Sequence, residues 1–278
     1  MNSLRRKLML ATWTRPTEGN IYGKLDLDCT KMLAYLEYLQ EQKNEKCTVT
    51  HFVGRAVGEA LHRCPSINGY IRFGSYIEHK TVDVSFLVAI DGGKNLGNVK
   101  VDNIHQKDIA GVAQALRKDA TALRKGEDKE FENSQNTLKM LPSFLIRPVL
   151  WLTGWLTSSL GLDLSFLGLK SFPFGACMIT SVGMFGLDEG FAPHTPFARV
   201  PVIVLIGAVQ KKVVVIDDEM AIRPMLTLTA TIDHRYIDGA QGATLVKTLR
   251  EAFDSPWMLD GLNQPPQSYL EHLESSKP

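Results

Sequence analysis

Four cysteines are all that the 278 residues hold, and Cys29, Cys47, Cys64 and Cys177 stand at no metal-ligating or redox spacing. They read as reduced thiols buried as small apolar groups, and no metal site is expected. Charge of one sign is also missing: Lys+Arg 31 against Asp+Glu 30 leaves +1. That excludes the basic footprint of a nucleic-acid-binding chain. Arg5, Arg6 and Lys7 precede no apolar core of the length a secretory signal needs, so a cytoplasmic protein is expected. There is no internal repeat and no low-complexity tract.

Nor does any uncharged run reach the roughly 20 residues that span a bilayer. One such run is 148–162, fifteen residues between Arg147 and Asp163, with Trp151, Trp155 and five leucines, interrupted by Pro148, Gly154 and Gly161. The whole segment 141–172 is expected to form a helical hairpin on the domain or at a subunit interface. A surface-lying membrane segment is the second reading, because tryptophan suits the interfacial zone.

What remains is ordinary globular material: 44% hydrophobic residues, enough chain for one large domain or two small ones. After a first strand and loop within 6–27, apolar spacing predicts helices over 28–42 (Met32, Leu36, Leu39), 50–63 (Phe52, Val53, Ala56, Val57, Ala60, Leu61) and 108–124 (Ile109, Val112, Ala115, Leu116, Leu123). Cys64-Pro65 ends the second, since a residue before proline avoids helix. A hairpin is predicted from 70–73 and 76–79 around Gly74-Ser75. Further strands are predicted at 82–90, 202–209 and 212–216, the last two joined by a turn at Gln210-Lys211.

The densest information is Asp233-His234-Arg235-Tyr236-Ile237-Asp238-Gly239-Ala240. Before it, 225–232 alternates as a strand; after it, 243–253 reads as a helix with Leu245, Leu249 and Phe253 on one face. A strand end holds a histidine rigidly while its ring faces a cleft, which suits a general base. Asp238 reads as a helix N-terminal acid, and Gly239 as a residue allowing a tight turn before the helix. His51, His62, His79, His105, His194 and His272 have no companion pattern and read as ordinary residues.

The pattern His-x-x-x-Asp-Gly resembles the active-site signature of the chloramphenicol acetyltransferase-like superfamily. The fuller string Asp-His-Arg-x-Ile-Asp-Gly-Ala resembles the catalytic domain of the 2-oxoacid dehydrogenase acyltransferases, the E2 components. A second block, Phe174-Gly175-Ala176-Cys177-Met178-Ile179-Thr180-Ser181-Val182-Gly183-Met184-Phe185-Gly186, is similar to that family's strand-and-turn segment. There the serine after a Thr-Ile pair donates to the tetrahedral oxyanion; here that position is Thr180, followed by Ser181.

The resemblance covers roughly residues 5–253 and implies an α/β fold, a two-layer sandwich with a mixed sheet covered by helices. It implies one catalytic domain over 1–278, with an apolar insert at 141–172, a C-terminal extension at 255–278, and no lipoyl or peripheral-subunit-binding domain. His234 is then the general base and Thr180 the oxyanion donor, with Ser181 as the alternative. Asp238 organises the site through an arginine, for which Arg5, Arg6 and Arg235 are all open. The substrates implied are acyl-CoA or CoA and a thiol acceptor such as dihydrolipoamide, with no covalently bound cofactor. Any lipoyl group comes in trans from a lipoyl-carrying protein. The family forms trimers with the active site between subunits. A non-catalytic oligomerisation or membrane-docking module that retains the fold is the alternative.

Overall fold

The computed structural model describes residues 19–90, 95–126 and 141–275. Its main sheet has the strand order β1-β8-β7-β6-β4-β5. These are β1 (Asn20–Asp28), β4 (Val84–Ile90), β5 (Asn95–Val101), β6 (Cys177–Ser181), β7 (Val202–Ile216) and β8 (Glu219–Asp233). β4, β6 and β7 run parallel and the outer pairings are antiparallel, so the sheet is mixed as expected. A separate hairpin pairs β2 (Gly69–Arg72) with β3 (Ser75–Glu78).

Alternation along each strand divides the sheet into two faces. Phe86, Ile179, Val204 and Leu228 point into one large core, shared with α1 (Thr30–Lys43), α2 (Val49–Arg63), α3 (Ile109–Lys125) and α5 (Gly239–Asp254). The expected helix faces are the buried ones, with Met32, Phe52, Val53, Ile109 and Val112 all fully buried. The opposite face carries Met178 and Ile203 in a smaller cluster with Ala198 and Val200. It also carries Thr227, Thr229, Thr231 and Asp233 of β8, all buried. Loop residues cover this polar row: Thr229 Oγ1 donates to Gly190 O, and Phe191 meets Tyr22 edge-on.

Three expectations need correction. The small hairpin turns at Phe73-Gly74, one residue early, because both central positions take positive φ (50° and 78°) and Gly74 supplies the second freely. The turn expected at Gln210-Lys211 does not exist. β7 continues to Ile216 and reverses at Asp217-Asp218, both left-handed, so β7 and β8 form a long arm with Val213, Val215, Met220 and Ile222 exposed. The insert is not a helical hairpin. It has one helix, α4 (Ser143–Gly154), which ends in a π turn at Trp155–Ser159 and is followed by a short 3-10 turn at Ser165–Leu167. Gly161 and Gly168, with φ of 68° and 74°, break any second helix.

The C-terminal extension folds back rather than trailing away. α6 (Gln267–Ser275) packs on α1, with Tyr269 fully buried against Tyr35 and Trp257. Among the described residues no helix is long and apolar enough to cross a membrane. All four cysteines are free and buried.

Candidate active site

The octet forms the corner between β8 and α5, and nearly every polar group in it is assigned. The last strand residue, Asp233, is tied to the start of β7 by its N–H, which donates to Pro201 O at 2.9 Å. Its buried carboxylate receives Arg235: Nε at 3.0 Å from both oxygens and Nη2 at 2.5 Å from Oδ2. The backbone N–H of Arg235 adds a third donor at 3.0 Å. Such a bidentate, charge-assisted arrangement fixes the corner strongly.

Tyr236 anchors the corner from the other side. It is buried, with its ring edge-on to Tyr76. Burial, aided by the Asp233 charge, pushes its hydroxyl up to about 12, so it remains protonated.

His234 itself is exposed. Its backbone N–H donates to Gly19 O at 3.1 Å, and its Nδ1 lies 2.7 Å from Ile237 O. A carbonyl oxygen can only accept, so Nδ1 carries the hydrogen. In the neutral ring the lone pair is then on Nε2, the atom turned away from the main chain and available as a base.

Asp238 caps α5. Its Oδ1 accepts from Ala240 N at 2.8 Å and Gln241 N at 3.4 Å, while Gln241 Oε1 accepts from Asp238 N at 2.8 Å. This reciprocal capping box satisfies the first turn of the helix. Of the three arginines open as its partner, Arg235 is committed to Asp233, and Arg5 and Arg6 lie outside the described residues. Gly239 does not serve a tight turn as expected. It is the first residue of α5, its φ is not positive, and a Cβ there would meet nothing within 4 Å.

Thr180 is on β6, half-buried, beside Leu87 and Leu205. Strand alternation puts it on the face of Met178 and Ile203, whereas Ser181 shares the helix-covered face with Ile179. Thr180 is in register with Leu205, and Leu205 with Thr229. His234 follows Thr229 by five positions. Five rises of about 3.4 Å and two strand spacings of about 4.8 Å separate the two Cα atoms by about 20 Å within one protomer. The chain therefore brings His234, Asp238, Arg235 and Gly239 together and leaves Thr180 and Ser181 apart from them.

Sequence reasoning missed three supports: the Ile237 carbonyl, the Tyr236 anchor and the Pro201 carbonyl. Backbone oxygens carry no sequence signal, and Tyr236 is recognisable only once the β2–β3 hairpin is placed. An open cleft of about 820 Å³, lined by Arg55, His105, Lys107, Asp108 and Asp260 among others, lies between α2 and α3 and contains none of the octet.

Residues 6–141 and 167–259 match the family described as 2-oxoacid dehydrogenases acyltransferase (catalytic domain). The unmatched stretch between them, 142–166, falls inside the apolar insert. The chain is 24% identical over 250 residues to a Rickettsia felis protein named dihydrolipoyllysine-residue acetyltransferase component of pyruvate dehydrogenase complex. That match covers 88% of this chain and 50% of the relative, so the chain spans about half the length of the curated relatives it matches. The fold is similar to a probable dihydrolipoamide acetyltransferase from Listeria monocytogenes, with TM-score 0.66 and 19% identity over 95% of this chain and 96% of that one. It is also similar to the cubic core of a pyruvate dehydrogenase multienzyme complex, with TM-score 0.64 and 18% identity over 92% and 87%. With the octet at a strand end, a mixed sheet under helices and a family match over most of its length, the chain belongs to the family of 2-oxoacid dehydrogenase acyltransferase catalytic domains.

Proposed function

We propose that the protein transfers an acyl group between CoA and a thiol acceptor such as dihydrolipoamide, with His234 as general base. The observation that carries this reading is the Nδ1 contact of His234 with Ile237 O at 2.7 Å, which leaves Nε2 as the basic atom at an exposed strand end. Nε2 takes the proton of the attacking thiol. The thiolate adds to the thioester carbonyl, and the tetrahedral oxyanion accepts a hydrogen bond from a threonine hydroxyl. Collapse expels the other thiolate, which recovers the proton from the imidazolium. Base catalysis of this kind contributes about 10²–10⁴-fold, and one oxyanion donor about 10²–10³-fold.

The hydroxyl in this scheme belongs to Thr180 of a neighbouring copy. A separation of about 20 Å within one protomer is far beyond hydrogen-bond reach. A closed ring of three copies, each offering its His234 end to the next copy's Thr180 face, supplies the missing half. The relatives' names support the acyl chemistry, and the cubic core supports assembly into higher oligomers. The chain acts as a catalytic domain in this reading, and a lipoyl group, where used, is its substrate.

Thioester exchange between acetyl-CoA and dihydrolipoamide tests the reading. Wild type transfers, and His234→Ala lowers transfer by about 10²–10⁴-fold. Absence of transfer by wild type across a panel of acyl-CoAs and thiols would sink it.

A membrane-docking role has one observation in its favour. Phe144, Trp151 and Phe166 are 76%, 58% and 81% exposed in the insert. Co-sedimentation with phospholipid vesicles that disappears on deleting 142–166 supports that reading, and no co-sedimentation by wild type removes it.

A further inference from the structure

The insert is wired to the His234 corner by two separate routes. On the first, Arg199 Nη1 donates to Ser159 Oγ at 2.7 Å, and its guanidinium lies 5.7 Å from the centroid of the Trp151 ring. Ser159 and Trp151 both belong to 142–166, the stretch the family match leaves out. Two residues after Arg199, Pro201 O receives the N–H of Asp233, the residue before His234. Arg199 also has φ of 53°, a left-handed conformation that an arginine rarely adopts. Such an outlier persists only where its surroundings hold it. The fit is tight here: a Cβ on Gly154, at the end of α4, would lie 2.2 Å from Phe197 O.

The second route runs through Phe172. Its N–H donates to Thr157 O of the π turn at 3.2 Å, and its ring packs 4.6 Å from Tyr70. The next residue, Ile71, pairs across the hairpin with Tyr76, whose ring meets Tyr236 edge-on at 6.2 Å. The insert is thus linked to both anchors of the corner, to Asp233 through Arg199 and Pro201 and to Tyr236 through Phe172 and the β2–β3 hairpin.

We propose that Arg199 is a positioning residue: by clamping Ser159 and Trp151 of the insert, it holds the Val200–Pro201 backbone where it fixes Asp233, and so sets the placement of His234. This rests on the acyltransferase reading for its catalytic consequence, but the mechanical coupling can be measured without it. In this protein the brace comes from a segment that the family match does not contain.

Arg199→Leu and the milder Ser159→Ala test it, with Arg199→Lys as the conservative variant. The first readout is amide exchange over 233–237 in the intact protein. Loss of a hydrogen bond of ordinary net strength accelerates local opening by up to about tenfold. Both variants should show that acceleration while exchange in α1 and α2 is unchanged, and Arg199→Lys should restore part of it. The second readout is thioester transfer, where misplacement of the base lowers kcat by about tenfold with KM for CoA little changed. Unchanged exchange over 233–237 in both variants overturns the proposal. So does faster exchange with wild-type kcat. Faster exchange in a protein whose wild type transfers no acyl group leaves the brace standing and removes the acyltransferase reading.

Discussion

Thr180 and His234 lie about 20 Å apart along the same sheet, separated by the five positions from Thr229 to His234 and by the intervening strand β7. In the proposed mechanism each is half of a thioester-transfer site, His234 as the base at one corner and Thr180 as the hydroxyl on the non-helical face of a strand at the other. Neither half can reach the other in one copy. Under the proposed closure by symmetry this separation gives three equivalent sites, and the chemistry then depends on assembly.

Asp238 separates charge from capping. Its carboxylate oxygen accepts two backbone N–H groups of α5. Asparagine caps a helix as well as aspartate does, whereas alanine costs about 1 kcal/mol. Asp238→Asn should therefore melt like wild type and Asp238→Ala lower, as read by urea denaturation. If Asp238→Asn is as unstable as Asp238→Ala, the carboxylate charge matters more than the cap.

Gly239 has open space where a side chain would be. Alanine is the better helix former by up to about 1 kcal/mol, so Gly239→Ala should hold or raise stability. Under the proposed shared site, a methyl added beside the His234 corner should lower thioester transfer. A variant both stable and fully active would show that nothing docks against this residue.

Acid should destabilise the protein through two half-buried histidines. His79 is packed between Tyr70 and Phe172, and burial lowers it to about 4; His51, whose Nδ1 accepts the N–H of Thr48, is likewise lowered to about 4. The unfolded chain binds these protons near 6.5, so between 6.5 and 4 the unfolded state holds more protons than the native one. Stability is thus complete above pH 6.5 and falls as pH drops towards 4, by up to about 3 kcal/mol per histidine. Urea midpoints from pH 7 to 4.5 check this. His79→Gln should flatten the dependence, and an unchanged slope would exonerate His79.

The thiols should be silent in the native state. Burial pushes Cys29 and Cys177 up to about 12 and Cys47 to about 11, and all four cysteines are buried. Thiolate is the reactive form, so iodoacetamide at pH 8 should label none of them until denaturant is added. Rapid native labelling would mean that the core opens locally.

Local pattern made some of this legible beforehand and geometry hid the rest. Phe52, Val53, Ala56 and Val57 repeat with helical period and are the buried face of α2. Leu226 and Leu228 alternate with Thr227 and Thr229 and form the strand that carries His234. The corner itself was readable because its residues are contiguous. What could not be read depends on long-range placement. Gln210-Lys211-Lys212 resembles a turn, but Val213 and Val215 keep the alternation, and the arm they build is solvated on the face where burial would have marked it. The insert's apolar composition is the same for one helix or two, and the π turn after Gly154 decides between them. The separation of Thr180 from His234 follows from strand register, which no spacing in the sequence encodes.

The most direct test of this account is complementation between two inactive variants. His234→Ala and Thr180→Val are prepared separately, then co-assembled from denaturant in equal amounts. If each site draws its base from one copy and its hydroxyl from the next, random mixing rebuilds about a quarter of the sites with both groups intact. Thioester transfer should then recover to about a quarter of wild type. Activity that stays at the level of the separate variants would contradict a shared site and return Thr180 to the role of an ordinary strand residue.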